Sequence, residues 1–156
     1  MTQPAAPGPG VAPAASGHDF AVTLQLEQGY RFAVDSQLPG VAPFVIDEGP
    51  PLGEGSGPNP SRVLAAAMAS CLGSSLLFCL GKSRIPVTSL TVQATGTMTR
   101  NARGRLRVGH VDIRLHPVVA PEDVPRMQRC LELFQDFCVV TESVRAGVET
   151  SVAVEL

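Results

Sequence analysis

Residues 59–75 read NPSRVLAAAMASCLGSS, and this stretch decides how the chain folds. Its opening Asn-Pro pair suits the N-cap and first position of a helix. Ala, Ser and Gly dominate the residues that follow, so other backbone can pack closely against this helix. We expect the helix to run to about Leu80, with Gly81 beyond its end. The thiol of Cys71 should therefore be enclosed by protein.

Alternating apolar residues before this helix predict three strands. Phe20–Leu26 and Tyr30–Asp35 flank a turn and form a hairpin, and Phe44–Ile46 is a short third strand. Residues 50–60 are rich in Pro and Gly, which predicts a loop.

A second hairpin and a second helix follow the central helix. Val87–Thr99 and Arg105–Val118 alternate, and the parity of the second strand switches at Gly109-His110, which predicts a β-bulge. Pro121 begins a helix with one continuous apolar stripe. The stripe consists of Val124, Met127, Leu131, Phe134 and Cys138.

The C-terminal part predicts one more helix and one more strand. Thr141–Ala146 is a short helix closed by Gly147, and Val148–Leu156 alternates as a final strand. The complete order is β-β-β-α-β-β-α-α-β. Strands joined by hairpins and mixed with helices indicate the α+β class.

Length and composition indicate one globular domain. The chain has 156 residues, enough to bury a core. Residues 1–17 are rich in Pro, Ala and Gly and lack the features of a secretory signal. We expect a disordered tail there and a single domain over residues 18–156. A reducing cytoplasm is the expected compartment, where the four cysteines should be free, catalytic or metal-bound rather than bridged.

Several classes of partner are disfavoured. The formal net charge of −2 gives no overall case for nucleic acid, and the Arg cluster at 100, 103, 105 and 107 fits a solvated hairpin tip. Residues 63–81 carry no charge, but their Ser and Gly favour a buried helix over a membrane span. Three scattered His and no CxxC or HxxxH motif argue against zinc. We expect neither a metal nor a cofactor.

Two segments resemble the OsmC/Ohr family of bacterial thiol peroxidases. The first runs from Gly57-Pro58-Asn59-Pro60 to Cys71, and the second from Phe137-Cys138 to Val144. The predicted order of elements also agrees, from about Phe20 to Leu156. The resemblance implies an intertwined homodimer, in which long central helices pack against antiparallel sheets and the active sites form at the subunit interface.

The same resemblance implies roles for three residues. Cys71 would be the peroxidatic cysteine, Cys138 the resolving cysteine and Arg31 the cation that supports the thiolate. Burial raises the pKa of a thiol, and Cys71 lies too deep in its helix to benefit from that helix's N-terminus. A nearby cation is therefore expected, and Arg62 on the same helix is the alternative to Arg31.

Two positions depart from the pattern of Ohr-type members. Ser61 stands where they carry a Glu that pairs with the Arg, and Val139 stands where Pro often follows the second Cys. These departures favour a divergent OsmC-like branch. Cys79 and Cys130 match no reactive position and are expected to be structural.

Three functions remain open at this point. The first is a peroxidase for organic hydroperoxides or hydrogen peroxide in oxidative-stress defence. Its Cys71 sulfenic acid would condense with Cys138, and an external dithiol such as a lipoyl group would reduce the disulfide. The second is a non-enzymatic dimer that senses redox state or binds a small apolar ligand. The third is a structural domain with packed cysteines. Phe78, Phe134 and Phe137 would favour bulky organic peroxides.

Overall fold

The computed structural model describes residues 20–155, and the predicted tail at residues 1–17 lies outside them. The chain divides into two compact units, with the boundary between Pro60 and Ser61. The first unit contains a small sheet and a loop. The second contains the helices and a long hairpin.

A three-stranded antiparallel sheet makes up most of the first unit. Its strands are β1 (Thr23–Gln28), β2 (Arg31–Asp35) and β3 (Phe44–Ile46), in the order β1-β2-β3. The predicted hairpin and third strand are thus confirmed, although β1 begins later than expected. Gly29 makes the turn between β1 and β2 at a φ of 54°, a conformation that costs glycine little.

A buried carboxylate organises the loop after β3. Asp47 is 2% exposed, and its Oδ2 accepts hydrogen bonds from the N–H of Glu54 and from the N–H and hydroxyl of Ser56. The bond from the Ser56 N–H is the main reason why the pKa of Asp47 lies below its ordinary value, although burial opposes the shift. Composition predicted a loop here but not this anchor.

Helix α1 (Pro60–Lys82) is the central helix of the second unit. Its predicted start is confirmed. Its end lies beyond Gly81, which stays helical, and the positive φ near the end belongs to Arg84, at 53°. The length and apolar composition of α1 would also fit a membrane span, but core helices of soluble proteins pass the same test. One side of α1 does form core, through Leu72, Leu76 and Leu80.

A long antiparallel hairpin packs beside α1 in the second unit. Its strands are β4 (Ser89–Arg100) and β5 (Leu106–Val118). Helix α1 packs closely against β4 at Gly73, where an added Cβ would lie 3.2 Å from Cγ2 of Val92. The small residues of α1 therefore allow the close packing that the sequence predicted.

The β-bulge predicted in the second strand of this hairpin is confirmed. Thr97 pairs with His110, whereas Met98 pairs with Val108, so Gly109 is the extra residue. The four arginines at the tip of the hairpin lie in its exposed part, as predicted.

The second predicted helix consists of three short pieces. A 3-10 helix at Pro121–Met127 leads into α2 (Gln128–Leu133), and a second 3-10 helix follows at Phe134–Phe137. The prediction of one continuous stripe is wrong, because Val124 and Leu131 are exposed. A 3-10 turn holds three residues rather than 3.6, which rotates the buried side. The buried residues with large side chains are Met127, Cys130, Phe134 and Cys138.

The last predicted helix is confirmed and the last predicted strand is not. Helix α3 (Val139–Ala146) ends at Gly147, whose φ is 77°. Residues 148–155 form no strand, because no neighbouring strand pairs with them among the described residues. A strand needs such a partner to satisfy its backbone hydrogen bonds. Its valines at 148, 152 and 154 are exposed.

One cysteine pair is bridged. Cys79 of α1 and Cys130 of α2 form a disulfide with Cα atoms 5.6 Å apart. The expectation that all four cysteines are free, catalytic or metal-bound is therefore wrong for these two. No local sequence motif predicts this pairing, because 51 residues separate the two cysteines. The core of the second unit brings them together.

A substitution at the bulge tests this fold. We expect Gly109→Ala to lower the free energy of unfolding by about 1–3 kcal/mol, because the new Cβ would meet the side chain of Thr99, with Oγ1 only 2.7 Å away. Chemical denaturation measures the change. Gly96→Ala on β4 is the matched control, since its Cβ would meet nothing closer than 3.9 Å. Equal effects of the two substitutions would contradict the register.

Candidate active site

Two free thiols meet where α1 lies against the start of α3. Cys71 is half-buried in the middle of α1, and Cys138, which immediately precedes α3, is 0% exposed. Their side chains are within hydrogen-bonding reach of each other. The structure thus brings together the two cysteines that the sequence singled out.

The first turn of α3 directs backbone N–H groups at both sulfurs. The N–H groups of Val139 and Val140 act to lower the pKa of Cys71, and the N–H of Thr141 donates to Sγ of Cys138 at 3.4 Å. The first N–H groups of a helix have no partner within it and carry the positive end of its dipole. These donors therefore stabilise negative charge on the sulfur pair.

The pKa values of the two thiols move in opposite directions. Burial raises the pKa of Cys71, and its interaction with Cys138 raises it further. Burial also opposes ionisation of Cys138, but hydrogen bonds from the Thr141 side chain, the Cys71 thiol and the α3 backbone outweigh it and lower the pKa. The buried Thr141 hydroxyl has no hydrogen-bond partner among the described residues, so the one hydrogen bond from Thr141 to this sulfur with a measured length comes from its backbone N–H, at 3.4 Å.

The pair therefore behaves as one unit when it ionises. The raised pKa of Cys71 and the lowered pKa of Cys138 favour Cys138 as the group that ionises first, although the titration belongs to the pair. Solvent reaches Cys71, which is half-buried, whereas Cys138 is fully buried. The more accessible sulfur is thus the one whose pKa is raised.

Sequence reasoning missed the backbone donors. It required a cation because Cys71 is far from the N-terminus of its own helix, whereas the N-terminus of α3 reaches its sulfur. Residue types do not show which backbone N–H groups will act as donors in the folded chain. The one signal in the sequence is that residue 139 is Val, because proline at that position would have no N–H. The departure from the family pattern thus adds a donor to Cys71.

Arg31, the predicted supporting cation, lies in β2 of the first unit. Its Nε donates to Oε2 of Glu27 at 2.6 Å, and its Nη1 donates to Oγ of Ser56 at 2.7 Å. A carboxylate of its own unit therefore balances the guanidinium charge. The alternative, Arg62, is exposed in the first turn of α1. Support of the Cys71 thiolate by Arg31 stays a prediction.

A groove of about 540 Å³, lined by apolar residues together with polar ones such as His110 and Arg145, opens in the second unit between α1, β5 and α3. Its lining includes Leu72 and Thr141, the neighbours of the two cysteines. Of the three phenylalanines predicted to surround the site, Phe134 lines this groove. Phe78 and Phe137 are exposed and pack on each other, with ring centroids 6.3 Å apart. Within residues 20–155, no group of three or more His, Cys, Asp or Glu could hold a metal ion.

The donor role of the Val139 N–H can be tested with proline. Val139→Pro removes this N–H together with the exposed valine side chain, and the backbone tolerates the ring because residue 139 opens α3 and Cys138 is extended, at φ −82° and ψ 95°. We expect the pKa of Cys71 to rise further, so that its thiolate fraction and its alkylation rate at neutral pH fall several-fold. The pH dependence of iodoacetamide alkylation measures both.

Val139→Ala is the matched control, because it keeps the N–H and removes only a side chain that is 75% exposed. Its alkylation profile should follow the wild type. If the proline and alanine variants titrate alike, the Val139 N–H does not stabilise the Cys71 thiolate.

The chain is similar to known proteins both in sequence and in structure. The family model described as OsmC-like protein matches residues 53–153. An OsmC-like protein of unknown function from Vibrio cholerae superposes with a TM-score of 0.70 at 18% identity, over 80% of this chain and 92% of that chain. No curated protein matches the sequence.

Two similar structures carry a functional name. An organic hydroperoxide resistance protein from Elizabethkingia anophelis, with thiocyanate bound, has a TM-score of 0.62 at 20% identity, over 85% of this chain and 91% of that chain. The organic hydroperoxide resistance protein OhrB of Bacillus subtilis has a TM-score of 0.57 at 19% identity, over 83% and 92%. At these identities the likeness shows a shared fold.

Proposed function

We propose that this chain, which belongs to the OsmC-like protein family, is a cysteine-based peroxidase that defends the cell against peroxides. The contact between the free thiols of Cys71 and Cys138 carries the proposal. Family membership and the fold shared with organic hydroperoxide resistance proteins support a role in peroxide defence. The fold is that of a soluble protein, and the proposed location is the cytoplasm.

Cys71 is the proposed site of peroxide attack, because it is the more accessible sulfur. As the peroxide enters, the Cys138 thiolate takes the proton of Cys71 and acts as a general base. The Cys71 thiolate, held by the α3 N–H groups, attacks one peroxide oxygen, and the O–O bond breaks. Cys71 becomes a sulfenic acid, and the leaving oxygen takes the proton from Cys138 and departs as an alcohol, or as water from hydrogen peroxide.

Cys138 then resolves the sulfenic acid. It is a thiolate again, and it attacks the sulfur of Cys71 to form a disulfide while hydroxide leaves and takes a proton from solvent. Resolution removes the sulfenic acid before a second peroxide can oxidise it further. An external dithiol, for example of the lipoyl type, supplies two electrons by thiol–disulfide exchange and restores both thiols.

The surroundings of the thiols favour organic hydroperoxides as substrates. The groove lined by Leu72, Phe134 and Thr141 belongs to the same unit as the thiol pair and offers apolar surface together with polar groups such as His110 and Arg145. Burial of an apolar substituent there would add binding energy that hydrogen peroxide cannot provide. In the proposed homodimer, Arg31 of the N-terminal sheet would support the Cys71 thiolate as the family resemblance implies.

A redox sensor is the alternative function. It would use the same thiol pair and would form the same disulfide, but it would oxidise once rather than turn over. The groove would also suit a small apolar ligand in a non-enzymatic dimer. Turnover separates these roles, because only an enzyme consumes many equivalents of peroxide when a dithiol is supplied.

Thiol counting tests the proposal. We expect a small excess of cumene hydroperoxide to remove both free thiols of the wild type, which are Cys71 and Cys138. Cys71→Ser should keep its remaining thiol, and Cys138→Ser should lose one thiol to a sulfenic acid that dimedone traps. With dithiothreitol present, the wild type should consume peroxide continuously. Unchanged thiols in the wild type would rule out the peroxidase.

A further inference from the structure

The bridged pair Cys79–Cys130 joins the same two parts of the chain as the site pair. Cys79 follows Cys71 by eight residues along α1, and Cys130 precedes Cys138 by eight residues. Because the first cysteine of α1 meets the later residue and the second meets the earlier one, the two segments run in opposite directions. The two pairs are therefore successive links between α1 and residues 130–138.

We propose that the Cys79–Cys130 disulfide is a brace that positions Cys138 for capture of the Cys71 sulfenic acid. This inference rests on the proposed peroxidase function and deepens it. Cys79 and Cys130 are positioning residues in this proposal, since neither touches the peroxide or the reacting sulfurs.

The segment that carries Cys138 has little structure of its own to hold it. It contains two 3-10 helices and α2, which has only six residues. Helices this short do not persist without tertiary contacts. Four side chains of the segment are buried in the core and hold it in place, and one of the four forms the disulfide. They are Met127, Cys130, Phe134 and Cys138.

The disulfide is the strongest of these ties. Cys130 is 1% exposed, and its bond to Cys79 fixes α2 directly to the helix that carries Cys71. A further hydrogen bond joins the residues just outside these parts, from Nη2 of Arg126 to the carbonyl of Ser83 at 3.0 Å, and it is exposed to solvent. Water competes for an exposed hydrogen bond, so that contact fixes the segment less firmly.

The brace acts through position rather than through exchange with the site. Residues eight apart on an α-helix are separated by about 12 Å along its axis. Thiol–disulfide exchange needs direct attack of one sulfur on another. Cys79 therefore cannot exchange with the Cys71–Cys138 disulfide while α1 stays helical. Its influence on the reaction comes from where it holds Cys138.

The fate of the sulfenic acid reports on this positioning. Cys138 competes with a second peroxide for the oxidised Cys71, giving either a disulfide or a sulfinic acid. A small displacement of a reacting group can slow an intramolecular step by one or two orders of magnitude. Loss of the brace should therefore shift the products toward sulfinic acid.

The experiment compares the wild type with Cys79→Ser/Cys130→Ser after rapid mixing with excess cumene hydroperoxide. Intact mass separates the disulfide, which has lost two hydrogens, from the sulfinic acid, which has gained two oxygens. We expect the ratio of disulfide to sulfinic acid to fall roughly tenfold or more in the double variant. An unchanged ratio would overturn the brace.

Cys138→Ser provides the control for a purely structural effect. Without a resolving thiol, adding the Cys79→Ser/Cys130→Ser changes should leave the extent of sulfinic acid formation unaltered. If the brace acted only on folding, the same changes would alter oxidation in both backgrounds. An equal effect in both would therefore also overturn the proposal.

The experiment also covers two other outcomes, which are a wild type that does not react and a double variant that does not fold. If the wild type itself fails to react with peroxide, the proposed function is wrong, and the variants are not needed to show it. If the double variant does not fold, wild-type chain reduced with dithiothreitol and desalted replaces it. The fully reduced chain should then form more sulfinic acid than the bridged chain, and equal amounts would reject the brace.

Discussion

The contact between the middle of α1 and the first turn of α3 determines the chemistry of the second unit. It brings the sulfurs of Cys71 and Cys138 together and directs backbone N–H groups at both. The small residues of α1 also allow close packing against β4, where a Cβ added at Gly73 would lie 3.2 Å from Cγ2 of Val92.

Uncharged donors rather than a cation surround the thiol pair in the second unit. A buried charge is costly unless hydrogen bonds compensate for lost water. Here hydrogen-bonding groups of α3 and the Cys71 thiol outweigh the effect of burial and lower the pKa of Cys138.

The four cysteines divide into two pairs with different environments. Cys79–Cys130 is closed as a disulfide within the core, whereas Cys71 and Cys138 are free thiols. Both pairs depend on the same antiparallel approach of α1 and residues 130–138. One link can therefore fix the geometry that the other uses, which is the basis of the inferred brace.

The sequence by itself determined the features that depend on neighbouring residues. Hairpins, the start of α1, the cap at Gly147 and the bulge at Gly109 follow from local conformational preferences. Only the tertiary structure decided the rest. The buried side of residues 121–138 depends on 3-10 turns that packing imposes, and the Cys79–Cys130 bridge and the α3 donors depend on segments far apart in the chain. Backbone donors have no residue identity, so their role emerges only when α3 is folded against Cys71.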